Sequence, residues 1–164
     1  MEQTLFYILA GVTVIATLYA ISARQSVHAI VYLVTSFFAL AAIFFLLGAP
    51  MVAVFEVIIY AGAIMVLFMF VIMMLDLGHP ERAGRPTLRD WWPALLLGGI
   101  TLASSLTLFG ATASTGMAGT AALSVREFSL ALFSKHGVAV EVISLQLLFA
   151  LVGALYLGRK RGDS

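Results

Sequence analysis

The chain has 164 residues, 62% of them hydrophobic and 10% charged, with a mean hydropathy of +1.08. Soluble domains carry about 25% charged residues, so a soluble globular fold is excluded and an integral membrane protein is expected. Cysteine is absent and the formal net charge is +1, which excludes disulfides and thiolate metal sites and leaves only the placement of charge informative.

A hydrocarbon core about 30 Å thick takes roughly 20 helical residues, and five stretches have that length. The expected fold is therefore all-α and polytopic, one membrane domain over residues 1–164, with spans at about 4–21, 29–47, 52–75, 92–108 and 138–157. The N-terminus, MEQTLFYILAG, has no basic n-region and reads as a retained first helix. A short polar link leads to the second span, with Ser26 as the expected N-cap. Gly48, Ala49 and Pro50 then form a turn too short for anything but an antiparallel hairpin.

The third span carries Glu56, an acid where a membrane helix normally holds none, followed by Tyr60 and the small cluster Ala61, Gly62 and Ala63. It ends in a charged, proline- and glycine-containing loop over residues 76–90. Trp91 and Trp92 stand at an interfacial belt position and open the fourth span. In that span the pairs Ala94 with Gly98 and Gly99 with Ala103 suit close helix contact. Residues 109–120 read as a loop, and 124–135 as a short amphipathic interfacial helix broken by Gly137. The fifth span holds a second acid, Glu141.

Basic residues set the orientation. One side holds Arg24, Arg82, Arg85, Arg89, Arg159, Lys160 and Arg161, the other only Arg126 and Lys135. That asymmetry puts the N-terminus in the periplasm and the C-terminus in the cytoplasm.

Glu56 and Glu141 then fall on parallel helices, each roughly 6 to 9 Å inside the outer end. A charge at mid-membrane costs about 2.5 to 3.5 kcal/mol on insertion scales, so such acids face protein or water. At 100° per residue, Glu56, Tyr60, Ala63 and Leu67 share one face, and a carboxyl and a phenol one turn apart could hold water on a proton path. The bland reading is that Glu56 reaches interfacial water and Tyr60 merely packs. The cluster Ala61 to Ala63 reads either as a helix contact or as a place where the helix can wind differently. His28, His79 and His136 lack a carboxylate at ligand spacing, and no metal site is expected.

The run YAGAIMVLFMFVIMML, with a membrane Glu four residues before its Tyr, resembles the third helix of the J-type membrane subunit of bacterial NADH:quinone oxidoreductase, respiratory complex I, the family of mitochondrial subunit six. VHAIVYLVTSFFALAAIFFLLGA and VAVEVISLQLLFALVGA resemble that family's second and fifth helices. The resemblance implies a membrane-arm subunit of the bacterial inner membrane. Its partners would be the other membrane-arm subunits, the quinone module nearby and the lipid bilayer, with no nucleic acid. It implies no catalytic or cofactor-binding residue in this chain, whereas the complex uses NADH, FMN, iron-sulfur clusters and quinone. It further implies a helix switch over Tyr60, Ala61, Gly62, Ala63, Ile64 and Met65, with Glu56, Tyr60 and Glu141 as proton-path candidates. A related cation/proton antiporter or membrane hydrogenase subunit, or a purely structural assembly subunit, remains the alternative.

Overall fold

The computed structural model describes residues 2–23, 25–75, 88–115 and 125–159. Among them every element is helical: α1 (Glu2–Ser22), α2 (Ser26–Leu46), α3 (Pro50–Phe55), a π-helical segment (Glu56–Ile64), α4 (Met65–Leu75), α5 (Leu88–Thr115) and α6 (Val125–Gly158). α3, the π segment and α4 run end to end as one rod, Pro50–Leu75. Five described helices are thus long and apolar enough to cross a membrane.

Residues 1–122 form one compact unit and residues 123–164 a second. In the first, α1 and α2 pack through helically spaced small and aliphatic side chains: Leu9, Val12 and Ala16 on one, Ala39, Ala42 and Ile43 on the other. Ala16 and Ala39 are fully buried, so the two backbones approach closely where side chains are smallest. Hydroxyls lock the same seam. Thr17 Oγ1 lies 2.9 Å from Ser36 Oγ, and both reach the Thr13 carbonyl, at 2.8 Å and 3.2 Å. The seam continues in the stacked rings of Tyr19 and Tyr32, 5.4 Å apart.

α2 is the centre of this unit, touching α1, α5 and all three parts of the third rod. Gly48 takes φ +77° in the turn after α2, a left-handed conformation that glycine adopts without penalty, and Pro50 opens α3. α5 packs chiefly on α1 and α2. Its inward face is Leu97, Thr101, Ser104 and Leu108. The second unit holds α6, none of whose residues is buried.

Several boundaries differ from the sequence expectation. Gln25, in extended conformation, precedes α2, and Ser26 is its first helical residue rather than a side-chain cap. α5 begins at Leu88 and continues to Thr115, so Phe109 to Thr115 is helix where a loop is expected. Extending an existing helix adds one hydrogen bond per residue without a new nucleation cost, which explains how a weak Gly, Ala and Thr sequence stays helical. A Cβ placed at Gly98 or Gly99 meets nothing within 4 Å, so these glycines make no close helix contact within the unit. In α6 the backbone leaves helical geometry at His136 (φ −124°, ψ 21°), one residue before the expected break at Gly137, so a helical stretch before it and a longer one after it meet at a kink. The charged loop over 76–87 and residues 116–124 lie outside the described residues.

Candidate functional site

The π segment is where the third rod departs from regular winding. Its residues, EVIIYAGAI, include Val57, Ile58, Ile59 and Ile64, whose branched Cβ atoms give up side-chain freedom in an α-helix, and Gly62, the weakest ordinary helix former. These residues weaken the preference for α winding there. At the exit, at Met65, the backbone N–H groups are bonded to the carbonyls of Gly62 and Tyr60, the latter five residues back where an α-helix uses the fourth. Gly62 supplies the clearance: a Cβ at this position would sit 3.2 Å from the carbonyl oxygen of Val57, five residues back. That is closer than side-chain carbons normally approach, and a backbone oxygen yields little.

Bonding to the fifth residue inserts one residue into the turn and rotates the rest of the rod. The buried positions along it record the change: Ala53, Glu56, Ala61 and Met65, in steps of three, five and four. An α-helix continued from Glu56 would put Tyr60 on that face. Instead Tyr60 is 47% exposed and Leu67 63%, while Glu56 is 8% exposed and Ala61 7%. The shared face of Glu56, Tyr60, Ala63 and Leu67 expected from uniform α periodicity is therefore not formed. The acid is buried as the Ala61 methyl and the Met65 thioether are, and α2 is the neighbouring helix that the π segment packs on.

The expected site residues are divided between the two units. Tyr60 to Ile64 all lie within the π segment, which begins four residues earlier than the expected switch and takes in Glu56; Met65 is the first residue of α4. Glu56 stands six residues from the start of the rod at Pro50, roughly 9 Å along it. Glu141 lies exposed on α6, its carbonyl accepting a 2.8 Å hydrogen bond from Ser144 Oγ, and belongs to the second unit.

Two open spaces flank the π segment. One, of about 490 Å³, is lined by Thr35 of α2, Ala61 and Met65 of the third rod, and Gly98 and Thr101 of α5. The other, of about 410 Å³, adjoins Ala53 and Val57 and also meets α5 at Ser105. The polar side chains of these walls are engaged locally: Thr35, Thr101 and Ser105 donate to the carbonyls of Val31, Leu97 and Thr101 at 2.9 Å. The third rod is thus held along α2, with room on its α5 side.

Sequence reasoning missed two aromatic contacts. Phe37 of α2 meets the Tyr60 ring at 5.5 Å with the planes tilted 56°. His28 meets Trp91 edge-on at 5.2 Å, joining the starts of α2 and α5. Neither partner lies near the other in sequence, so no spacing announces the pair. Among the described residues no three His, Asp or Glu side chains gather as a metal-ligand set.

Comparison with known proteins agrees with this architecture. Residues 16–157 match the model of the NADH-ubiquinone/plastoquinone oxidoreductase chain 6 family. The chain is 40% identical to NADH-quinone oxidoreductase subunit J of Pseudomonas aeruginosa over 94% of its own length and 95% of that protein's. It is 39% identical to subunit J of Escherichia coli, covering 94% and 85% of the two chains, and 33% identical to that of Rhodobacter capsulatus, covering 93% and 79%. A match along nearly the whole chain, on both sides of the π segment, leaves one conclusion: this protein belongs to the NADH-ubiquinone/plastoquinone oxidoreductase chain 6 family.

Proposed function

We propose that this chain is a membrane subunit of a bacterial NADH:quinone oxidoreductase in the inner membrane, and that its third rod couples quinone reduction to proton transfer by exchanging π for α winding. The relatives are named as subunits of NADH-quinone oxidoreductase, which supports the assembly and the partnership with its other subunits. The observation that carries the coupling reading is the one-residue offset of the buried face, from Glu56 to Ala61 where α winding would bring Tyr60.

Each winding gives Glu56 a different neighbour. In the π form the next buried side chain is the Ala61 methyl, which offers a proton nothing. In the α form Tyr60 stands one turn above the acid, and its hydroxyl can accept from and donate to a water held between them. Exchange between the two forms opens and closes a proton path while the start of the rod at Pro50 stays in place. Gly62 permits the π form, and the space on the α5 side receives the side chains that rotate. Glu141 serves the same proton route from α6, and the C-terminus faces the cytoplasm, as the basic residues direct. NADH, FMN, iron-sulfur clusters and quinone act on other subunits of the complex.

The test is proton pumping per NADH oxidised in membrane vesicles containing Glu56→Gln or Gly62→Leu complexes. Both variants are expected to assemble and oxidise NADH with a lowered proton ratio. A normal ratio in both would falsify the coupling role and leave a structural one.

A further inference from the structure

We propose that Phe37 is a positioning residue that holds the π winding in place through its contact with the Tyr60 ring. The proposal rests on the coupling reading above for its importance, but on separate observations for its geometry. α2 is anchored independently of the third rod, by its aliphatic seam with α1 and by the hydroxyl cluster of Thr13, Thr17 and Ser36. It is therefore a fixed surface against which the rod can turn. α3 is tied to the end of α2 by the tight turn at Gly48, so the rod's own start is fixed as well.

With that end fixed, restoring α bonds across the π segment advances the residues beyond it by up to one position, about 100° of rotation. Tyr60 would move from the flank to the buried place that Ala61 now fills, and Ile59 would arrive where Tyr60 stands. The rings of Phe37 and Tyr60, in contact at 5.5 Å, would separate, and Phe37 would face an aliphatic side chain. The aromatic pair exists only in the π form. Such pairs carry enough energy beyond their buried area to bias a two-state equilibrium by about 2- to 10-fold. Phe37 thereby keeps the Tyr60 hydroxyl away from Glu56 until the exchange is driven.

The experiment uses the intact complex, purified with Phe37→Leu, Tyr60→Leu, both together, or Phe37→Tyr, and counts particles with π or α winding over residues 56–64 by cryo-electron microscopy. Phe37→Leu is expected to raise the α to π ratio about 2- to 10-fold. Tyr60→Leu should raise it equally, the double variant no further, and Phe37→Tyr should keep the wild-type ratio. Unchanged ratios in Phe37→Leu, or effects of the two single variants that add in the double, would overturn the proposal. If Phe37→Leu does not assemble, Phe37→Met carries the same comparison. A normal proton ratio in Glu56→Gln and Gly62→Leu alongside shifted windings in Phe37→Leu would sink the coupling reading alone. Lowered proton ratios alongside unshifted windings would sink Phe37 alone.

Discussion

Gly62 is the residue on which the π segment depends most directly. Alanine favours α-helix over glycine by about 0.8 to 1.0 kcal/mol, and its methyl would press on the Val57 carbonyl at 3.2 Å. Both effects point the same way. Gly62→Ala is expected to shift winding toward α by about 1 kcal/mol, roughly fivefold, measured by conformer counting in the intact complex. Ser36 gives a contrasting case, since its hydroxyl joins α1 to α2 and has no part in the proton route. Ser36→Ala is expected to cost about 0.6 kcal/mol, up to about 1.7, visible as a lower dissociation temperature with an unchanged proton ratio. At this scale Glu56 and Gly62 were legible because an acid and a helix-weakening residue are each out of place in an apolar run. Phe37 was not, because one phenylalanine among many in a membrane helix carries no mark of its partner.

The third rod shows why an element cannot be read from periodicity alone when its periodicity changes inside it. Steps of three or four are correct up to Glu56 and again beyond Ala61, and a single step of five between them moves Tyr60 off the buried face and Ala61 onto it. Ala61→Leu tests that register. Its added carbons would overfill the α2 contact at a cost of about 1 to 3 kcal/mol in the π form and would turn outward in the α form. The expected outcome is a complex enriched in α winding with a lowered proton ratio, checked by cryo-electron microscopy and vesicle pumping. A π-enriched population with normal pumping would contradict the register. α5 and α6 show the complementary limit at helix ends. Continuation beyond Leu108 to Thr115 depends on helix already formed, which local composition does not reveal, whereas the break within α6 falls at His136, one residue before Gly137.

For the whole molecule, the distribution of basic residues and of the two acids makes predictions that do not depend on winding. A reporter fused to the C-terminus is expected to be active only as a cytoplasmic form, and activity restricted to the periplasm would reverse the assigned orientation. Glu141→Gln is expected to lower the proton ratio while NADH oxidation continues. The sequence by itself determined an all-helical membrane protein with five spans, because apolar length and scarce charge leave a chain no other stable state in lipid. It also singled out the third span, whose Glu56 is an acid within an apolar run and is costly wherever it packs. The tertiary structure decided that α1, α5 and the third rod pack on α2, and that Glu56 is buried together with Ala61 and not with Tyr60. The first depends on contacts between residues distant in the chain, which have no local signature; the second depends on where the change of backbone hydrogen bonding begins, which Gly62 alone does not fix.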